Sequence, residues 1–367
     1  MARPSDCADN VNWQYDGRQA RWDWPYHAHA SLTLPVDAEE LLFLAQGSLA
    51  HGSLEISHDG DVSEHATVNI DVAYKQESAL NDATVCRLRQ THNTHGLGIF
   101  TSHWRHDPDH ERQLRFHVHV RLPATSSGDL LELKKLRTDL PNFSQHLGEL
   151  GQTTHFKTVE LHASNGNLRA DYLYANAAKL QSTNGGVHGV FNVSDILVIH
   201  TANGAIDVQA NLLNEGERDT TKVSLETTNG AIHGNLGLFR PESTHTGGKY
   251  QANARSSNGP VVLAVHDAPA NSLLNASVSS TNAPVRVRAP AAYEGSFELR
   301  SAFWAPPEVE RHEREDPLGR GRRREVSVRS IQRRAVRGEV AWVPGDDDAQ
   351  SGHIWLETTN ARAVLEL

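Results

Sequence analysis

The feature that most constrains this chain is an asparagine-centred heptapeptide that keeps returning. It reads HASNGNL, QSTNGGV, HTANGAI, ETTNGAI, RSSNGPV, SSTNAPV and ETTNARA, centred on Asn165, Asn184, Asn203, Asn229, Asn258, Asn282 and Asn360. Successive spacings are 19, 19, 26, 29, 24 and 78 residues, so the last interval holds an insertion or degenerate copies. Repetition on this scale points to stacked units that share one core.

Each copy alternates with period two on both sides of its asparagine. Four residues before it stand Leu161, Leu180, Ile199, Leu225, Ala254, Val278 and Leu356. Two before it stand Ala163, Ser182, Thr201, Thr227, Ser256, Ser280 and Thr358, and three after it Leu168, Val187, Ile206, Ile232, Val261, Val285 and Ala363. The column seven after it runs Tyr172, Phe191, Ala210, Leu236, Val265, Ala289 and Leu367. Interleaved positions carry Glu160, His162, Lys179, Glu226, Arg255 and Glu357. Alternation of this kind is a strand with one buried face. Each copy therefore reads as strand, corner, strand.

Asn-Gly between strands is also a hairpin signal. Pro260 and Pro284 stand where a type I′ hairpin needs an N–H, and they lack one. Ala283 and Ala361 replace glycine where that turn needs positive φ. A parallel β-solenoid asks less of its corners. Asparagine tolerates the left-handed conformation that turns the chain, and stacked amides can hydrogen-bond from rung to rung. Ser164, Thr183, Thr228, Thr281 and Thr359 beside the asparagines fit the same ladder. The expected fold is all-β: a parallel β-solenoid, or β-helix-like repeat array, behind an atypical β N-terminal portion.

The expected organisation is a flexible tail over 1–28, an N-terminal β portion over 29–150, and repeats over 151–367. A disordered loop is expected within the repeats at about 304–325. Residues 31–122 alternate, LFLAQGSLAHGSLEI reads as a first, atypical rung, and 129–140 as a strand. Trp13, Trp22 and Trp24 in the tail are expected to fold back onto the body.

The formal net charge of −10 argues against a globally basic nucleic-acid binder. Two cysteines, Cys7 and Cys86, are too few for a disulfide framework or a Cys-rich zinc module. No apolar run is long enough for a membrane-spanning helix. The polar start shows no secretory signal, so a cytoplasmic protein is expected, with a nuclear one as the variant. The sequons at Asn142, Asn192 and Asn275 matter only in a secreted chain.

Chemistry-bearing groups are few. His117 and His119 share one face of a strand and could start a metal site, with His92, His95, His103, His106 and His110 upstream. In a chain of 22 histidines a solvated polar face is the simpler expectation. Outward acids do not recur as pairs on adjacent rungs, which disfavours a polysaccharide lyase or hydrolase. Asp346, Asp347 and Asp348 read as a solvated turn. Arg320, Arg322, Arg323 and Arg324, continued by Arg329, Arg333, Arg334 and Arg337, could read phosphates or serve as a nuclear address. The acids Glu308, Glu310, Glu313, Glu315 and Asp316 blunt their field, so a solvated loop is expected.

The Thr/Ser-Asn-Gly-x-Ile/Val steps over 156–367 resemble those of the bacterial putative-adhesin β-solenoid domain. From about His29 onward the chain is similar to a fungal family of unknown function. That likeness rests on HASLTLP with LLFLAQGSLAHGSLEI, VCRL with GLGIF, the Asn-Gly array, GEVAW and IWLETTN. The resemblance implies a fold and supplies no catalytic motif. The expected function is a non-catalytic scaffold presenting a ribbed face to a protein or glycan. No catalytic, cofactor or metal residue is assigned. A carbohydrate-active protein is the alternative, and nucleic-acid binding through the arginine run a second one.

Overall fold

The computed structural model describes residues 7–18, 23–102, 112–216, 219–241, 246–332, 334–346 and 350–367. Two compact units divide the chain, Met1–Ala175 with Leu180–Gly185 and Asn176–Lys179 with Gly186–Leu367. The division falls past residue 175 and not at the 150/151 boundary read from the sequence. Among the described residues the regular structure is strand throughout, apart from one 3₁₀ turn at Ala79–Asp82.

Unit 1 begins with β1 (Cys7–Asn10), β2 (Gln14–Arg18), β3 (Tyr26–Pro35), β4 (Glu40–Gln46), β5 (Ala50–Val62) and β6 (His65–Tyr74). It continues with β7 (Thr84–Gln90), β8 (Thr94–Phe100), β9 (Leu114–Ala124), β10 (Leu131–Asp139), β11 (Phe143–Glu149) and β12 (Thr154–His162), and β13 (Leu168–Ser182) straddles the division. Strands stack in parallel in two series: β8, β4, β10 and β12 in one, β9, β5, β11 and β13 in the other. The stretch LFLAQGSLAHGSLEI supplies β4 and β5, one strand to each series, as its reading as a rung requires.

Antiparallel strands cover one edge of each series. Strand β7 pairs with β8 and β1 with β7, while β6 pairs with β9, β3 with β6, and β2 with β3. The tail expected over 1–28 therefore contains paired strands where it is described. Cys7 and Cys86 join β1 to β7 as a buried disulfide, Cα atoms 5.6 Å apart, packed with Leu42, Leu88 and Phe100. Trp24 lies half-buried against the His51 ring, with the Lys75 ammonium 5.5 Å from its centre. Trp22 lies outside the described residues.

Unit 2 contains β14 (Val187–Thr201), β15 (Ile206–Leu213), β16 (Thr221–Thr227), β17 (Ile232–Phe239), β18 (Lys249–Ser256), β19 (Val261–Asp267) and β20 (Leu273–Ser280). It ends with β21 (Val285–Arg288), β22 (Gly295–Arg300), β23 (Glu308–Glu310), β24 (Arg323–Gln332), β25 (Ala335–Val343), β26 (Gly352–Thr358) and β27 (Ala363–Glu366). The repeat columns register one upon another. Val223, Ala252, Ala276 and Ile354 are successive partners in one series, and Ile206, Ile232, Val261, Val285 and Ala363 in the other. All these pairings are parallel, so two-residue reversals do not join them. The columns are buried as the alternation demands, except that Tyr172 is only half-buried.

The corners work differently from the expectation. Asn93, Asn271 and His92 are the non-glycine residues with positive φ among those described, and no ladder asparagine is among them. The expected rung-to-rung hydrogen bonding of the asparagine side chains is nevertheless present. Asn165 Nδ2 donates to Asn142 Oδ1 at 2.7 Å and Asn184 to Asn165 at 2.7 Å in unit 1. In unit 2 Asn229 donates to Asn203, Asn258 to Asn229, Asn282 to Asn258 and Asn360 to Asn282, at 2.6–2.7 Å. The glycine after the asparagine serves close approach and not positive φ. A Cβ on Gly230 or Gly259 would overlap the carbonyl oxygen of Gly204 or Gly230 in the adjacent rung.

A second ladder lies inside. From Asn203 to Asn282 the hydroxyl two residues before the asparagine accepts the N–H of the residue after it: Gly204 N donates to Thr201, Gly230 N to Thr227, Gly259 N to Ser256 and Ala283 N to Ser280. The same hydroxyls donate to a carbonyl of the adjacent rung, as Ser256 does to Gly230 O and Ser280 to Gly259 O, both at 3.0 Å. Burying them costs little because each hydroxyl is satisfied twice. This is the column read as merely small, and the hydroxyls expected to ladder stand one residue later.

The 78-residue interval is resolved by an exchange of order. Strand β26 lies directly on β20, and β22 lies beyond β26. The last Asn-centred rung thus fills the place next to Asn282, while residues 289–351 loop outward and add the antiparallel pair β24 and β25 beyond β22.

Candidate functional site

The histidine pair of β9 does not converge on a metal geometry. His117 and His119 both face outward, but each bonds a different serine of β5: His117 Nδ1 lies 2.8 Å from Ser53 Oγ and His119 Nε2 2.8 Å from Ser57 Oγ. His92 and His95 bond Thr91 and Asn93 beside them, and His103, His106 and His110 lie outside the described residues. Among the described residues, Glu310, His312 and Glu366 bring their ligand atoms within 4.8 Å of one another, a grouping that sequence spacing hides. Arginines already neutralise it: Arg286 bonds Glu366 at 2.5 Å and Glu310 at 3.3 Å, and Arg288 bonds Glu366 at 2.6 Å. Burial raises the Glu366 carboxyl, but the two arginines outweigh it and hold the group below its ordinary value.

The arginine run begins in a turn closed by ion pairs and continues along β24 and β25. Arg322 is buried, and its guanidinium grips the Asp316 carboxylate at 2.8 and 3.0 Å. Asp316 also accepts the backbone N–H groups of Leu318, Arg320 and Arg322. These bonds, the Arg322 one foremost, hold its carboxyl far below the usual range. Arg320 pairs with Asp346 at 3.1 Å and Arg323 with Glu325. Arg324 lies over the buried Trp342 ring, 6.0 Å from its centre, and burial brings its pKa down to about 10. Arg333, Asp347 and Asp348 lie outside the described residues. Within 304–325, β23 pairs with β27 and β24 begins. Arg320, Arg322, Arg323 and Arg337 of a run expected to be solvated are thus paired with the protein's own acids.

The remaining site is the outer face of the sheet β16, β18, β20, β26, β22 and β25. Its register lines up Ser224, Asn253, Ser277, Trp355, Glu298 and Arg337 in one row. The next row holds Glu226, Arg255, Ser279, Glu357 and Arg300. Two neighbourhoods on this face differ in chemistry. Around Glu298 the charges are consumed: Arg337 bonds its carboxylate at 2.8 and 3.1 Å, and Arg300 at 2.8 Å. The Arg337 bonds, opposed by partial burial and aided by Arg300, lower its pKa. Over β20 the small side chains Ser277 and Ser279 lie between taller ones on β18 and β26. They floor a groove of about 340 Å³ walled by Asn253, Arg255, Trp355 and Glu357. The sequence reading missed this groove, because Trp355 meets Ser277 only through the strand exchange.

A domain family of unknown function, DUF7330, matches residues 176–303. That is narrower than the resemblance expected from about residue 29 onward. No curated protein matches the sequence. Among solved structures, a putative-adhesin protein from Bacteroides fragilis is similar at 9% identity, over 92% of this chain and 97% of that one, with a TM-score of 0.35. Another from Parabacteroides distasonis is similar at 11% identity over 96% and 98%, with a TM-score of 0.35. A putative lipid-binding protein from the same organism is similar at 10% identity over 71% and 90%, with a TM-score of 0.27. Likenesses at these scores leave the functional argument to the chain's own residues. Among the described residues no helix is long and apolar enough to cross a membrane.

Proposed function

We propose that the protein is a non-catalytic interaction scaffold whose strands coil as a β-solenoid. The observation that carries this reading is the register of the repeat columns in unit 2, with the Asn-centred corners from Asn203 to Asn360 joined by side-chain hydrogen bonds. A stack tied at successive corners is stiff and presents outward residues at fixed spacing, which suits recognition of an extended ligand. The charge pattern supports a binding role over a catalytic one. Glu298, Glu366 and Asp316 have lowered pKa values, so they stay ionised, whereas a general acid needs a raised one. The test is incubation with a panel of polysaccharides, with and without calcium, followed by assay of released reducing ends. The expected result is no turnover. Turnover abolished by Glu357→Gln would overturn the scaffold reading.

We further propose an oxidising compartment for the protein, as a reading beside the cytoplasmic one expected from the sequence. The Cys7–Cys86 bond supports this, since such bonds persist where thiols are not kept reduced. Thiol titration of protein isolated from its native cell under alkylating conditions should find none free. Two alkylated cysteines would return it to a reducing compartment.

A further inference from the structure

We propose that the groove over β20 binds a neutral polysaccharide chain, with Trp355 as the stacking platform. The proposal deepens the scaffold reading above and rests on it.

The groove has the dimensions of a sugar chain. Its walls stand on β18 and β26, two strand spacings apart, or about 9.6 Å. Its floor from Ser277 to Thr281 runs about 13 Å along the strand. That accommodates a few pyranose rings laid end to end.

The lining has the matching chemistry. Trp355 is half-exposed, on the outward parity of β26. An indole face packs against the C–H face of a pyranose as it does against other flat apolar surface. Around it stand hydroxyl, amide, guanidinium and carboxylate groups that donate to and accept from sugar hydroxyls. Among the described residues, Asn253, Arg255, Ser277, Ser279 and Glu357 have no side-chain hydrogen bond or ion pair. On the same sheet Glu298, Arg300 and Arg337 use theirs on one another. Polar groups left unspent beside a tryptophan in a concave surface are what a small-ligand subsite requires.

Charge selects among glycans. The groove's own lining carries Glu226, Arg255 and Glu357, two anions to one cation, and the Arg300 that follows Glu357 in the row is bonded to Glu298. A polyanionic chain meets net repulsion there, and a neutral one meets only hydrogen-bonding partners.

The test is calorimetric titration of the full chain with cellohexaose, laminarihexaose, mannohexaose and chitohexaose, with polygalacturonate hexamer as the anionic probe. At least one neutral hexasaccharide is expected to bind. Trp355→Ala should weaken that binding roughly tenfold or more. Trp355→Phe should keep most of it, and Trp304→Ala, at a 71% exposed residue outside the groove, should leave it unchanged. Ser279→Trp, which fills the groove from its floor, should abolish it while leaving the circular-dichroism spectrum intact. The proposal is overturned if no neutral probe binds, if binding survives both Trp355→Ala and Ser279→Trp, or if the anionic probe binds most tightly. None of these outcomes touches the scaffold reading, which falls only to measured turnover.

Discussion

Residues 206–288 and residues 289–351 of unit 2 both pack into one sheet system, yet they are held by different forces. In the first stretch the buried side chains are mostly Val, Ile, Leu and Ala, and the buried hydroxyls close onto the backbone of their own and adjacent rungs. The rungs share this solution, and specific pairings such as Arg240 with Asn214 and Arg288 with Glu366 are added to it at the margins. In the second stretch the fixed points are single pairings: Arg322 with Asp316, Glu298 with Arg337, and Trp342 Nε1 donating to Ala291 O at 3.1 Å. Repetition makes a stack stable without long-range specificity, whereas a departure from repetition needs charges that name their partners.

Four measurements would break or sharpen this contrast. The largest effect is expected from Ile232→Asp, which buries an unpaired carboxylate in a position with no exposed surface. It should unfold unit 2, seen as loss of the β signal in circular dichroism; an unchanged melt would contradict the inward assignment. Next comes Asp316→Asn, which removes the nearer of the two carboxylates that face the buried Arg322 cation and leaves only Glu294 at 3.7 Å. It should loosen 304–325 in hydrogen exchange and leave the corners near Asn229 and Asn258 protected. Equal loss in both places would show that the two stretches are one cooperative unit. Asn258→Ala removes one amide from the middle of the ladder and should cost only about 1 kcal/mol in denaturant unfolding. A cost several times larger would mean that the outer ladder, and not the core, holds the rungs. The smallest effect is expected on mild acidification. The Glu298 carboxyl sits below its ordinary 4.5, so its stabilisation is complete above that pH and is lost as pH falls through the folded value. Melts taken at falling pH should therefore weaken residues 289–351 before residues 206–288; the reverse order would refute the contrast.

The sequence made the repeats, their inward columns and the parallel pairing legible, because alternation and the placement of Pro260 and Pro284 are local facts. It did not show why glycine follows asparagine, since the reason is a carbonyl of the adjacent rung, 26 residues upstream for Gly230. It also misjudged the hydroxyl column, because a buried serine looks merely small until its two partners are known. The arginine run read as solvated because Asp316 folds back on it through a turn that no period announces. The candidate groove was illegible for a topological reason: Ser277 and Trp355 lie 78 residues apart and meet only because β26 enters beside β20.

That exchange of order also bears on how the chain reaches its native state. During synthesis β22, β24 and β25 leave the ribosome before β26, although they lie outside it in the finished sheet. Until residues 352–358 arrive, β20 keeps an unpaired edge, and β22 has nothing to dock against on its inner side. The outer strands must therefore wait or be displaced. This non-local closing step, and not the winding of the regular rungs, is where slow folding and edge-to-edge aggregation would concentrate.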